Sequence, residues 1–430
     1  MDTDATDRAE PTDTTGTTDT TGTTGTTGTT SPTDSDEVVS ALGRVGVIGS
    51  GAMGIGIAQV AATAGHPVTL VDSDEAVVEA ALARLADVLA RLVRKGRATD
   101  AERADILARI GAVETIAGLP ECSLVIEAVP ENLELKREVF AQLAEHQPAT
   151  TLLATNTSSI DIGAIADVVT EPERVLGLHF FNPPPLMRLV EVVHTGQTSR
   201  AYVDHAAALV QTWGKTPVRC ASTPGFIVNR VARPFYGEAQ RLVETGVADP
   251  ATIDAILRDR GGFPMGPFEL TDFIGQDVNL AVGTSVWEQT DHDERYAPTT
   301  FQQQLVAEGR LGRKSGRGVY AYAADGTAQH PDPNVDLADR LVGGPIDTDP
   351  LARTIAMLVN EAVDLVHRGE ASPDDVDTAM VLGVRYPKGP IAWGREIGFT
   401  VVADQIATLD TAFPGGRYRP SPGLTDGNLA

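Results

Sequence analysis

An α/β domain built on a parallel sheet, preceded by a disordered acidic tail and followed by two all-α modules, is the fold class that the sequence predicts. Three observations predict it. From Arg44 onward, short apolar strands ending on polar residues alternate with helical stretches. A glycine-rich turn, GSGAMG, joins the first strand to the first helix. Past Gly225, a helical pattern repeats without gaps at an offset of 123 residues.

The tail comprises residues 1–42. Its first 37 residues hold nine acids against one arginine and almost no apolar side chain. Such a segment cannot bury enough surface to offset the entropy of ordering, and it lacks the basic start and apolar stretch of a secretion signal. The chain as a whole is ordinary for a globular protein, with 42% hydrophobic and 22% charged residues. A net charge of −25 argues against nucleic acid or an anionic membrane as partner. No apolar run approaches a membrane span, and Cys122 and Cys220 give neither a disulfide framework nor a metal spacing. The expectation is a cytoplasmic protein with no metal, in which any phosphate-bearing ligand needs local positive charge.

The first strand is Arg44 to Ile48. Gly49 to Gly54 follow, then the helical run IGIAQVAATAG, and then a second strand, PVTLVD, ending on Asp72. A GxGxxG between strand and helix, with an acid 18 residues beyond the last glycine, is the pattern of a Rossmann-type dinucleotide site. Gly49 allows the tight turn, Gly51 lets backbone N–H groups approach a pyrophosphate, and Gly54 lets helix pack on strand; Ala52 and Met53 belong to the same loop. A carboxylate at Asp72 accepts from ribose hydroxyls and repels a 2′-phosphate. Ser73, Asp74 and Glu75 bring no arginine to reverse that preference, so the cofactor reads as NAD.

Further strands are SLVIEAV, feeding a helix from Pro130 or Glu131, then TLLAT, ending in Asn156 to Ser159, and Val175 to His179. The ligand crevice of a parallel sheet lies at the carboxyl ends of its strands, which places Ser158 and His179 on one edge. In GLHFFNPPPLMRLVEVV, Glu191 stands between valines. A carboxylate so flanked needs a partner. Pro183, Pro184 and Pro185 predict a rigid extended turn that returns the chain so that Glu191 meets His179 on a paired strand. Histidine titrates close to neutral pH and serves as a base for an alcohol proton, and a carboxylate on its other nitrogen fixes the tautomer.

Four segments in order, GSGAMGIGIAQVAATAGHPVTLVD, ATNTSS, GLHFFNPPPLMRLVEVV and PGFIVNR, resemble the L-3-hydroxyacyl-CoA dehydrogenase family, the 3-hydroxybutyryl-CoA type included. The likeness runs on through GPFELTDFIG to GRKSGRGVYAY, covering about Arg44 to Tyr322. It implies oxidation of a CoA-thioester substrate with NAD. His179 matches the family's general base and Glu191 the acid paired with it. Ser158 and Asn229 match the groups that hold the reacting oxygens and the nicotinamide end. Asp72, Glu131, Lys136, Ser158, Asn182 and Lys314 fall on cofactor-contacting positions, and Lys95 on one that contacts CoA. Lys95 also belongs to a basic cluster with Arg91, Arg94 and Arg97, which reads equally well as a solvated helix face.

Residues 43–222 thus read as the dinucleotide domain and 223–322 as a first helical module that completes the site. Residues 323–349 read as a linker and 350–430 as a second copy of the module. The segments Glu238 to Gly275 and Glu361 to Gly398 align, with Asp254 matching Asp377 and Pro264, Gly266 and Pro267 matching Pro387, Gly389 and Pro390. Asn229 is replaced by Ala352, so the second copy is expected to be structural and to pack on the first. The expected assembly is a monomer with an internal pseudo-dimer, or a homodimer. Nothing in the motifs sets acyl length: 3-hydroxybutyryl, longer acyl and 3-hydroxyadipyl esters all remain, and Arg230 or Arg233 are the cations at hand for a terminal carboxylate. The alternatives from other classes are a gulonate-type sugar-acid dehydrogenase and a non-catalytic NAD-binding structural protein.

Overall fold

The computed structural model describes residues 43–427; the expected acidic tail lies outside the described residues. An eight-stranded sheet has the order β3-β2-β1-β4-β5-β6-β7-β8. The strands β1 (Val45–Ile48), β2 (Val68–Val71), β4 (Leu124–Glu127) and β5 (Leu152–Thr155) are buried along their whole length, because helices cover both faces of the sheet. The expected α/β dinucleotide fold is present. β6 (Val175–Phe180) and β7 (Leu189–His194) pair antiparallel, with His179 opposite Glu191; the other neighbours are parallel. β3 (Ile110–Val113) and β8 (Thr216–Ala221) complete the two edges. The strand order reverses between β1 and β4, the switch point at which open α/β sheets take their ligands.

Local chemistry moves two helix starts away from the sequence expectation. Helix α1 (Ala52–Thr63) begins inside GSGAMG rather than after it, because Gly49 already turns the chain at φ +95°. The helix expected from Pro130 or Glu131 begins at Leu133, where the Asn132 side chain accepts from the Leu135 N–H at 2.9 Å. The proline turn also differs from the extended form expected. The N–H groups of Leu186 and Met187 both donate to the Pro183 carbonyl, at 3.0 and 3.1 Å, closing a tight turn. Prolines at its start lose nothing, since the N–H groups there need no partner. Gly56 of α1 lets Pro184 pack against it, and the Lys215 ammonium holds the carbonyls of Pro184 and Met187 at 2.5 and 2.8 Å.

Beyond the sheet the chain is almost wholly helical. The first module contains α7 (Val228–Val231), α8 (Arg233–Glu244), α9 (Pro250–Ala255), α10 (Pro267–Ile274) and α11 (Gln276–Gln289). The second contains α14 (Pro350–His367), α15 (Pro373–Gly383), α16 (Pro390–Ile397) and α17 (Phe399–Ala412). The helices α10 and α16, and likewise α11 and α17, sit at the repeat offset residue for residue. Asp254 accepts from the N–H groups of Phe268 and Glu269, and Asp377 from those of Ile391 and Ala392. A Cβ at Gly266 or Gly389 would fall on the aspartate of its own module, which gives the repeated glycine its reason. Residues 323–349 are not a bare linker: they carry β10 (Ala328–Gln329), paired with Ala321–Tyr322, and a helix at Val335–Leu341.

The second module packs on the first, α14 lying against α8. One apolar core runs from Val125, Phe140 and Leu153 through Ile227 and Phe235 into Met357, Val363 and Ile406. Charged groups within this contact are arranged about a pseudo-twofold axis. Glu238 of α8 accepts from Arg353 at 2.7 Å, Arg417 at 2.6 Å and the Tyr418 hydroxyl at 2.9 Å. Its repeat partner Glu361 accepts from Arg230 at 2.6 Å, Arg295 at 3.3 Å and the Tyr296 hydroxyl at 2.5 Å. Both glutamates are buried. Burial alone would raise the Glu238 pKa, but Arg417, Arg353 and Arg241 hold it down at about 2.

A depressed carboxylate pKa contributes stability above the unfolded value and loses it as pH falls through the folded one. Glu238 titrates at about 2 in the fold against an ordinary 4.5, which corresponds to about 3 kcal/mol at neutral pH. Urea unfolding of Glu238→Gln at pH 7 is therefore expected to show a loss of about that size, with the gap to the natural protein closing between pH 4.5 and 2.

Candidate active site

The glycine loop, the segment after β4, the ATNTSS segment and the end of β6 meet at the carboxyl edge of the sheet. Glycine is required at Gly54, where a Cβ would lie 1.8 Å from the Gly49 carbonyl oxygen. A Cβ at Gly51 would meet no protein atom within 4 Å, so the space above this N-cap is open. No side chain caps α1 and its first turn carries no acid, leaving a bare helix N-terminus that favours an anion. Ser50, fully buried, ties this loop to the next strand: its N–H and hydroxyl donate to Asp72 at 2.9 and 2.7 Å. Partial burial raises the Asp72 pKa, but the bonds from Ser50 and the Asp74 N–H outweigh it and keep the carboxylate ionised.

Glu131 organises ATNTSS. It accepts from the Thr157 hydroxyl at 2.6 Å, the N–H groups of Ser158 and Ser159 at 3.1 and 3.2 Å, and the Ser159 hydroxyl at 2.9 Å. Burial works against its charge, yet these donors and Lys136 hold its pKa below the ordinary value. Lys136 itself is buried beneath the crevice surface, its ammonium 2.7 Å from Glu127 and 3.3 Å from Glu131. Ser158 contributes only its N–H to this network, and its hydroxyl has no partner among the described residues.

His179 and Glu191 meet as the register dictates. Nδ1 of His179 lies 2.6 Å from a Glu191 oxygen. A carboxylate only accepts, so Nδ1 carries the proton and Nε2 presents a lone pair. Phe181 and Phe226 flank the imidazole, with ring centroids at 4.6 and 5.7 Å. The second Glu191 oxygen accepts from the N–H groups of Ile227 and Val228 at 3.1 and 2.9 Å. Those N–H groups open α7, so the carboxylate caps the helix that carries Asn229. Gly225 and Phe226 enter α7 at φ +79° and +48°, and the aromatic residue there is held in backbone space that it rarely adopts. The Asn229 amide has no partner among the described residues.

The model of the 3-hydroxyacyl-CoA dehydrogenase NAD-binding domain matches residues 44–223, and that of the C-terminal domain matches twice, at 225–322 and 351–426. A 3-hydroxyadipyl-CoA dehydrogenase of Escherichia coli K12 is 42% identical over 87% of this chain and 95% of its own. The chain belongs to the 3-hydroxyacyl-CoA dehydrogenase family. A probable 3-hydroxybutyryl-CoA dehydrogenase of Bacillus subtilis is 42% identical over 64% of this chain and 96% of its own. The solved structure of an Escherichia coli K12 3-hydroxybutyryl-CoA dehydrogenase superposes with a TM-score of 0.81 at 40% identity, covering 89% of this chain and 97% of that one. The cofactor of the family's NAD-binding domain is NAD. Among the described residues, no helix is long and apolar enough to cross a membrane.

Not every position suggested by family likeness gathers at the crevice. Lys314 pairs with Asp277 at 2.6 Å, at the start of α11. The other end of that helix reaches the ATNTSS loop, where Gln289 donates to the Ser159 carbonyl at 2.9 Å. Twelve positions along α11 separate Asp277 from Gln289, which sets its two ends roughly 18 Å apart. Lys95 caps the far end of a helix at Glu75–Arg94, roughly 30 Å from Asp74. It is exposed with Arg91, Arg94 and Arg97. Asn182 sits at the mouth of the proline turn, exposed.

Sequence reasoning missed Ser50, Glu127 and the backbone cap of α7. Glu127 carried the same signal as Glu191, an acid within an apolar strand. It is fully buried, taking bonds from Lys136, the Thr155 hydroxyl and the Val129 N–H, each at 2.7 Å. Glu191→Leu would leave the N–H groups of Ile227 and Val228 without an acceptor, at a cost of about 1–3 kcal/mol each. The expected result is a lower midpoint in thermal unfolding together with faster amide exchange at Ile227 and Val228.

Proposed function

We propose that this chain catalyses the NAD-dependent interconversion of (S)-3-hydroxyacyl-CoA and 3-oxoacyl-CoA. The observation that carries the reading is the His179–Glu191 pair, its open Nε2 facing the carboxyl edge of a dinucleotide-binding sheet. When bound, NAD supplies the hydride acceptor for C3 of the substrate. His179 Nε2 takes the C3 hydroxyl proton, and Glu191 stabilises the imidazolium that forms. The Ser158 hydroxyl and the Asn229 amide donate to the oxygen whose charge changes. The rings of Phe181 and Phe226 keep water from the imidazole. Asp72 and the open N-terminus of α1, with Gly49, Gly51, Ala52, Met53 and Gly54, hold the dinucleotide, while Glu131 and Asn182 border it. Lys95 and its basic neighbours serve the far, phosphate-bearing end of CoA.

Residues 43–222 form the dinucleotide domain in this reading, 223–322 complete the site, and 350–430 stand in for a second subunit. The substrate in this reading is a short-chain or dicarboxylic ester, which the names of the Escherichia coli and Bacillus subtilis relatives support, and the reaction is a step of fatty-acid or phenylacetate breakdown.

NADH oxidation with acetoacetyl-CoA, run beside NADPH and free acetoacetate, tests the class. Fast turnover is expected only with NADH and the thioester. Failure with every CoA ester, together with turnover of a sugar acid, would replace the reading by a gulonate-type dehydrogenase. His179→Ala is expected to lower kcat by roughly 10²–10⁴ while NADH affinity stays near that of the natural protein. Deleting residues 349–430 removes every carboxylate that Arg230 engages and is expected to give an insoluble or inactive chain. A soluble, fully active product would refute the stand-in role.

A further inference from the structure

Two arginines lie next to Asn229, and the structure separates them. Arg230 is fully committed. Its guanidinium meets Glu361 at 2.6 Å, Asp364 at 3.0 Å and Glu370 at 2.5 Å. Burial opposes its charge, but Glu361, Tyr296 and Glu370 more than restore it. Arg233 differs. Its Nε donates to the Asn229 carbonyl at 2.7 Å and one terminal nitrogen to the Asn279 carbonyl at 3.3 Å. The guanidinium lies over the Tyr236 ring with its central carbon 5.0 Å from the centroid. Among the described residues, no carboxylate lies within ion-pair distance of it. A guanidinium offers five N–H donors in a planar fork that suits a carboxylate, and Arg233 has most of them left. Burial pulls its pKa below the ordinary arginine value, as expected of a cation removed from water without a counter-charge.

Arg233 lines a cavity of about 40 Å³ together with Arg295, Arg417, Asn279, Gly283 and Thr299, and no acid is among the lining residues. Arg295 and Arg417 are taken by Glu361 and Glu238; Arg233 is not. Helix α11 links this cavity to the reacting centre. Gln289 touches Ser159, and Val286 lies against Gly225, where an added Cβ would come within 3.0 Å of it. Gly283 faces Arg233, with a built Cβ 3.6 Å from the guanidinium. The missing side chain at Gly283 keeps this gap open. From Gln289 to Gly283 the helix rises roughly 9 Å. Three C–C bonds of about 1.5 Å, with a hydrogen bond of about 2.9 Å at each end, span an interval of that order.

We infer that Arg233 is the recognition group for a carboxylate at the far end of the acyl chain, so that the preferred substrate is a dicarboxylic thioester with three carbons beyond C3. This rests on the 3-hydroxyacyl-CoA reading of the site. A site built to pair a charged group rejects the analogue that lacks it, because the protein group is left unpaired.

The test compares two thioesters of one length, 3-oxoadipyl-CoA and 3-oxohexanoyl-CoA, which differ in carboxylate against methyl. The natural protein is expected to favour the dicarboxylic ester in kcat/KM by roughly tenfold or more. In Arg233→Met that ratio is expected to collapse, chiefly through KM for the dicarboxylic ester, with Arg233→Lys recovering part of it. A natural protein that favours the methyl-terminated ester, or neither, overturns the inference without any variant. Equal losses on both esters in Arg233→Met would overturn it too, by leaving Arg233 as a brace between α7 and α11. Turnover of 3-oxohexanoyl-CoA without that preference refutes Arg233 alone, whereas no turnover of any CoA ester refutes the activity itself.

Discussion

The carboxylate of Glu191 is the point on which the two halves of the molecule depend. One oxygen orients the imidazole of His179, and the other accepts from the first N–H groups of α7. The sheet supplies His179, the helical module supplies Asn229, and one fully buried side chain from β7 sets the distance between them. A charge in such a position is tolerated only when all its hydrogen-bonding capacity is used. Here the three donors come from two stretches of chain, the end of β6 and the start of α7. The dyad and the docking of the first module are therefore one constraint, and local loosening at the start of α7 reaches the histidine directly.

A second constraint fixes the first module from behind. Arg230, next in sequence to Asn229, is gripped by carboxylates of α14 and its C-terminal turn, so the second module steadies the helix that carries Asn229. The second copy lacks the site residue, with Ala352 in place of Asn229, yet it keeps the arginine and the glutamate that make the contact between copies.

Much of this was legible in the sequence because the pattern lay within reach of local rules. The glycine turn, its acid and the alternation of strands specified the dinucleotide fold. Glu191 between valines announced a buried charge, and the period of two in a strand carried it to His179. Distances that depend on the direction of a helix were not legible. Lys314 and Lys95 lie on matching positions in a linear motif, but that Lys314 pairs with Asp277 and that Lys95 closes the helix from Glu75 was not to be read from it. The roles of Arg230 and Arg233 were equally open in the sequence, because the acids that claim Arg230 lie 131 to 140 residues further on. The proline turn was read as extended because local rules count missing donors; the acceptor that closes it, the Pro183 carbonyl, is available to any later N–H.

Joining both copies in one chain frees each side of the pseudo-twofold axis to change alone. In a true homodimer every substitution appears twice, and a feature that suits one face is imposed on the other. Here Arg230 has three carboxylates, while its counterpart Arg353 has one, Glu238. The positions corresponding to Asp364 and Glu370 are Arg241 and Val247. Three acids about one arginine, repeated on both sides, would be a different interface, carrying more negative charge at its centre. Covalent linkage thus lets the half that bears Asn229 be braced more heavily than the half that bears Ala352.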